Sequence, residues 1–269
     1  LLADRLVCLW TQSIESGIGK YHHTVLPDGC VDIVWIGSVA PVVAGPATRH
    51  TIVELATGTT LIGARFRPGW AASCLGLPMD QLLDKDVPLA ELWGARAESL
   101  SEKILETDST LAQLRALGAE LTVQLSTAKV AHRSLQAAVT WLARYPVGRV
   151  HDLARFLGLS ERQLHRHFRN AVGYGPKTFQ RIMRLQRMLT ASTNVLESSF
   201  GLANLAADAG YADQAHMSRE VRALTGAPPR SLLRRHSSSM SMSDLFKNVD
   251  RANAILRISN SEHTYEKEQ

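Results

Sequence analysis

Two short stretches decide how this chain is read: Asp152-Leu153-Ala154-Arg155-Phe156-Leu157-Gly158-Leu159-Ser160 and Asn204-Leu205-Ala206-Ala207-Asp208-Ala209-Gly210-Tyr211-Ala212-Asp213. Leu153, Leu157 and Gly158 align with Leu205, Ala209 and Gly210 at an offset of 52 residues, and past the glycine the offset becomes 53. Leu164 then aligns with Met217, Arg166 with Arg219, Phe168 with Val221 and Gly173 with Gly226. A motif has been used twice, with one extra residue in the second turn. Each copy has the parts of a helix-turn-helix. A short helix turns Leu and Ala inward, and the glycine just past its end permits the left-handed backbone that stops it. Ser160 and Asp213 then stand where N-caps belong, and Ser160 with Gln163 makes a capping-box pattern.

The second helix of each copy is amphipathic. In copy one Leu164 and Phe168 face inward, leaving Arg162, His165, Arg166 and Arg169 on the opposite face. In copy two Met217, Val221 and Leu224 face inward, leaving Gln214, Ala215, Ser218, Arg219 and Arg222 outside. Between the copies, residues 176–192 read as one long helix with Pro176 in its first turn, carrying Arg181, Arg184 and Arg187 around an apolar stripe. A further helix is expected near residues 132–144.

Charge follows the same division. The 269 residues carry a formal net charge of +5. Residues 1–125 hold 9 basic and 14 acidic side chains, a net of −5, and residues 237–269 have a net of −1. Residues 128–236 hold 17 basic and 6 acidic side chains, a net of +11, and 15 of the 17 are Arg. Such a segment suits a polyanion. Guanidinium also binds phosphate and the guanine O6/N7 edge bidentately, which ammonium does not. Codon composition accounts for part of the Arg bias but not for its location.

The acidic segment reads as β-rich. Residues 7–14, 23–26, 30–36, 52–56 and 60–66 are strand-like and separated by turn signals at Pro27-Asp28-Gly29, Gly45-Pro46, Thr57-Gly58 and Pro68-Gly69. Short helical pieces follow at residues 68–74, 79–83 and 89–93, then longer ones at 98–106 and 110–125. Leu111, Leu114, Leu121 and Leu125 form a stripe that serves either a dimer seam or the domain core. Fold class is therefore α+β: a β-rich domain with trailing helices at residues 1–125, a linker at 126–131, an all-α tandem helix-turn-helix domain at 132–236, and a mobile tail at 237–269. Residues 245–258 in that tail could form one amphipathic helix.

Residues 132–235 resemble the DNA-binding domain of the AraC/XylS family of bacterial transcription regulators. The resemblance rests on the tandem motif, the connecting helix, the run Gly210-Tyr211-Ala212-Asp213-Gln214-Ala215-His216-Met217-Ser218-Arg219, and Thr225-Gly226-Ala227-Pro228-Pro229. It implies that the second helix of each copy enters one of two consecutive major grooves. Arg162, His165 and Arg166, then Gln214, Ala215, Ser218 and Arg219, are the implied base readers, with Arg169 and Arg222 beside them. Two departures matter. Val221 replaces a usual aromatic, and Ala215 makes no hydrogen bond to a base edge, so copy two is expected to pack less fully and copy one to dominate specificity. The acidic segment resembles the N-terminal domain of a subgroup of these regulators through Leu26-Pro27-Asp28-Gly29-Cys30-Val31-Asp32, Gly45-Pro46-Ala47, Gly63-Ala64-Arg65-Phe66-Arg67-Pro68-Gly69 and Val87-Pro88-Leu89-Ala90-Glu91-Leu92-Trp93-Gly94. By analogy it senses a small-molecule effector, mediates homodimerisation, or both.

Trp35, Arg65 and Arg67 are candidate effector contacts; Arg65 and Arg67, alternating about Phe66, are expected on one strand face. Trp10, Trp35, Trp70 and Trp93 either fill the core or line an effector pocket. His22, His23, Asp28, Cys30 and Asp32 raise the question of a metal or hydrolytic cluster, and Cys30 or Cys74 that of a reactive thiol. Asp28-Gly29 reads more simply as a turn, and the cysteines as buried structural residues. Three cysteines without a CxxC do not make a disulfide framework. No apolar run approaches the roughly 18 residues of a membrane span, and residues 1–10, carrying Asp4 and Arg5, do not read as a signal peptide. The expectation is a cytoplasmic, nucleoid-associated, non-enzymatic regulator of transcription, of the activator type, with double-stranded DNA and RNA polymerase as partners and no metal or cofactor. The alternatives are a thiol- or metal-dependent sensor or enzyme domain targeted to DNA by the helix-turn-helix pair, and an architectural DNA binder.

Overall fold

The computed structural model describes residues 2–15, 19–128, 133–192 and 201–238. Half of the expected linker (129–131) and the tail from residue 239, with the helix expected at 245–258, lie outside the described residues.

After a one-turn helix (α1, Leu2–Arg5), the chain forms β1 (Leu6–Ser13), β2 (Lys20–Val25), β3 (Val31–Ile36), β4 (Val42–Ala44), β5 (Thr51–Ala56) and β6 (Thr60–Phe66). Helix α2 (Ala71–Leu75), a 3-10 turn at Met79–Leu82, β7 (Asp86–Pro88), α3 (Leu89–Trp93), α4 (Ala95–Leu105) and α5 (Thr110–Thr127) follow. The strands form an antiparallel five-stranded sheet in the order β1-β6-β3-β4-β7 and a two-stranded ribbon of β2 with β5. All five expected strands are present. β4 and β7 are additions, each only three residues long and therefore without a readable alternation.

Strand β3 is buried on both faces, which explains its continuous apolar run. Val31, Ile33 and Trp35 join Phe66 and the inner faces of α2 and α5 in one core cluster. Val34 joins Cys8, Trp10, Leu55 and Leu61 in a second cluster, which spans the sheet and the ribbon. The leucine stripe of α5 belongs to the core: Leu114, Leu117, Leu121 and Leu125 are buried, whereas Leu111 is exposed.

A polar cluster interrupts this packing. Asp32 on β3 stands directly opposite Arg65 on β6. Arg65 donates from Nε to both Asp32 oxygens at 2.9 and 3.1 Å and from Nη2 to Oδ2 at 2.8 Å. Its Nη1 donates to Asp28 Oδ2 at 2.9 Å. Trp10 Nε1 donates to Asp32 Oδ1 at 3.2 Å, and Asp28 Oδ1 accepts from the Cys30 amide at 2.8 Å. The two carboxylates push the Arg65 pKa well above its usual value, against the opposing effect of burial. One guanidinium thus holds a sheet pair and the Asp28 turn together.

The basic segment is all helical: α6 (Arg133–Arg144), α7 (Val150–Phe156), α8 (Glu161–Val172), α9 (Pro176–Ser192), α10 (Leu202–Ala209), α11 (Gln214–Thr225) and α12 (Pro229–Ser238). Phe179, Ile182, Leu185 and Met188 of α9 are completely buried, so α9 is the central post on which both helix-turn-helix units pack. The expectation that copy two is looser is corrected: Met217 and Val221 are as fully buried as Leu164 and Phe168.

Replacing Arg65 with Leu should destabilise the protein by about 3–5 kcal/mol, because two carboxylates lose their buried counter-charge. Urea unfolding of the variant, and of one that also carries Asp28→Asn and Asp32→Asn, checks this: the triple variant should recover much of the loss.

Candidate nucleic-acid interface

Helix α8 begins as its sequence dictates. Ser160 Oγ accepts from the Gln163 amide at 3.2 Å, and Gln163 Oε1 accepts from the Ser160 amide at 2.9 Å, completing the capping box. Arg162, His165, Arg166 and Arg169 are exposed. Helix α11 begins at Asp213, whose Oδ1 accepts from the His216 amide at 2.6 Å. Gln214, Ala215, Arg219 and Arg222 are exposed, and Ser218 is half-buried.

Three basic side chains on α9 and α8 are committed elsewhere. Arg184 donates from Nε and Nη2 to the two Glu220 oxygens at 2.9 and 2.8 Å, donates from Nη1 to the Pro146 carbonyl at 3.0 Å, and covers the Tyr211 ring at 5.6 Å. Arg181 Nε lies 3.4 Å from the same carboxylate. These contacts tie α9 to the second reading helix. Arg169 pairs with Asp80 of the β-rich domain at 3.0 Å. Sequence reasoning counted Arg181 and Arg184 only as charge. The available signal was Glu220, an acidic residue on the inward side of α11.

The β-rich domain docks on the C-terminal ends of both reading helices. Gly173 ends α8 with φ 96°, and any side chain there would run into Pro46. Gly226 ends α11 with φ 68°, and a Cβ there would lie 2.6 Å from the His50 ring. The His50 amide donates to the Leu224 carbonyl at 2.8 Å. Residues 45–50 therefore bridge equivalent points of the two copies. On α9, Gln186 Nε2 donates to the Pro27 carbonyl at 2.7 Å.

A profile of the helix-turn-helix domain matches residues 153–235. The chain carries an AraC-type helix-turn-helix domain. Such a domain implies DNA binding by residues 153–235. A profile of a domain of unknown function (DUF6597) matches residues 1–88. No curated protein matches the chain. Among solved structures, ToxT from Vibrio cholerae O395 is similar over 84% of this chain and 95% of that one, at 10% identity and a TM-score of 0.41. ToxT bound to (E)-4-(8-methylnaphthalen-1-yl)but-3-enoic acid is similar over 84% and 97%, at 9% identity and a TM-score of 0.45. Unsaturated-fatty-acid-bound ToxT from strain SCE256 is similar over 84% and 93%, at 12% identity and a TM-score of 0.39.

In the β-rich domain, the expected effector contacts do not converge. Trp35 is sealed in the core, and Arg65 is enclosed by Asp28 and Asp32. Strand β6 ends at Phe66, so Arg67 does not share the face of Arg65: it is exposed, and its Nε donates to the Ala3 carbonyl at 3.4 Å. Among the described residues, no three His, Cys, Asp or Glu side chains are grouped to hold a metal ion. No described helix is long and apolar enough to cross a membrane. Burial raises the pKa of all three thiols: Cys8 to about 11, Cys74 to about 12, and Cys30 well above its usual value.

Two outcomes follow from this geometry. Arg166→Ala should cost on the order of 1–3 kcal/mol in site binding and relax one base position. If copy one dominates specificity, Arg219→Ala should change base preference less; selection of bound sequences with each variant checks the order. Because the attacking species is the thiolate, the raised thiol pKa values keep the folded protein inert to iodoacetamide at pH 8. Mass spectrometry should find three alkylated cysteines only after unfolding.

Proposed function

We propose that the protein regulates transcription at specific DNA sites, with α8 and α11 entering successive major grooves and residues 1–125 sensing an effector, dimerising, or both. The observation that carries this reading is the pair of capped helices, each presenting arginines outward, held by one central helix in the most basic part of the chain. Two reading helices spaced by about 34 Å, one turn of DNA, suit an asymmetric site of roughly two turns. The division at residues 1–125, 126–131, 132–236 and 237–269 follows from the same reading, although α5 continues to Thr127 and so enters the expected linker.

In this reading the β-rich domain acts through its docking. It contacts the C-caps of both reading helices and engages Arg169, so a change in its own conformation alters how the pair meets DNA or RNA polymerase. A DNA target places the protein in the cytoplasm, at the nucleoid. No catalytic step belongs to this mechanism. The thiol-sensor alternative is disfavoured by the burial that keeps all three cysteines protonated.

Affinity for a selected site should fall with salt at a log–log slope of roughly −5 to −9, as for about 6–10 phosphate contacts. Footprinting should protect about two helical turns. A slope near −1, or protection without base preference, would sink the reading, the latter in favour of an architectural binder.

A further inference from the structure

Between the two domains lies a cleft of about 870 Å³. Its walls come from α2 and the chain leading to Pro78, from the ends of α3 and α5, and from α6 and α8. That volume is within the range that holds a drug-sized molecule. The lining is mainly apolar, Leu77 and Leu92 among it, with Ser73, Gln124, His167 and Asn170 as scattered polar groups. Trp93 also lines the cleft, and its indole N–H is buried with no hydrogen-bond partner. A buried donor without an acceptor is costly. A ligand acceptor for that N–H would remove the cost.

We infer that this cleft is the effector site, and that its ligand is an uncharged apolar molecule with a carbonyl or similar acceptor for Trp93. This rests on the proposed regulator reading and deepens it. Charge selects the ligand class. Among the described lining residues there is no Lys or Arg to pair with a carboxylate, and a lone anion is costly to bring into an apolar cleft.

The position explains how occupancy is read out. His167, Asn170 and Ala171 line the cleft from α8, while Arg162 and Arg166, the proposed DNA contacts, are exposed on the same helix. A ligand touching both α2 and α8 binds best in one docking geometry and so shifts the population toward it. DNA must then change the ligand's affinity by the same factor. The Asp80–Arg169 ion pair sits on the same two partners, the 3-10 turn and α8.

The test uses the full chain and the neutral naphthalene ketone Prodan, whose emission shifts to the blue in an apolar site. One Prodan should bind per chain, and 2-undecanone should displace it at least ten-fold better than undecanoate. Ser73→Trp, which fills the cleft, should abolish binding. Trp93→Phe, which keeps the ring and removes the donor, should weaken binding about ten-fold while leaving the melting temperature nearly unchanged. Prodan affinity unchanged from that of the unmodified protein in both variants overturns the site, and equal displacement by undecanoate overturns the ligand class. Footprints of the same samples separate this inference from the one beneath it. A sequence-specific footprint without cleft binding overturns only the cleft, whereas loss of the footprint in the unmodified protein overturns the regulator reading.

Discussion

The structure depends first on a single guanidinium. Arg65 is enclosed between Asp32, its cross-strand partner, and Asp28, in the turn leading into β3. Buried ion pairs of this kind add little net stability over well-packed apolar residues, because desolvation offsets most of the Coulomb gain. Their value lies in register and position. The cluster fixes β3 against β6 and shapes the turn at residues 27–30, and that turn is where the DNA-binding domain seats. Gly29 has φ 87°, and a Cβ there would lie 2.9 Å from the Phe179 ring. Phe179 belongs to α9, the post that carries both helix-turn-helix units. A buried charge in the β-rich domain therefore sets where the reading helices stand.

The second constraint works from the opposite side. Residues 45–50 leave β4 and lie against the end of α8 at Pro46 and the end of α11 at His50. They are anchored between the contacts: Asp84 accepts from the Thr48 amide and hydroxyl, both at 2.7 Å. Helices α8 and α11 each leave an outward face exposed and meet the β-rich domain through the C-cap. The two surfaces do not share atoms, except at Arg169. A shift of the β-rich domain would therefore change helix orientation without unmaking the N-caps of α8 and α11 or the helical core.

How much of this was legible depended on the range of the interaction. Ser160 and Gln163 are three residues apart, and so are Asp213 and His216; caps of this kind are local and were readable. So was the inward face of each helix, because apolar spacing reports helix phase directly. Strand β6 was readable, its end at Phe66 included; the expected face shared by Arg65 and Arg67 failed because it carried the strand alternation one residue past that end. The partners of Arg65, Arg169 and Arg184 lie 33, 89 and 36 residues away, and nothing local to those arginines names them. The glycines at 173 and 226 were legible as helix stops. Their second role, admitting Pro46 and His50, exists only in the folded arrangement.

The same distinction changes what the charge of +11 means. Arg184 and Arg181 share Glu220, Arg169 holds Asp80, and Arg187 donates to the Arg144 carbonyl. These side chains tie α9 to α11 and α6, and α8 to the β-rich domain. Arg162, Arg166, Arg219 and Arg222 are exposed and make no ion pair among the described residues. Net charge draws the domain to any nucleic acid, and it is indifferent to which arginines contribute. Sequence reading needs arginines that are unpaired and also aimed, and the paired ones do the aiming. Glu220, one of few acidic residues in a basic segment, is then better understood as part of the reading apparatus than as a charge opposing it.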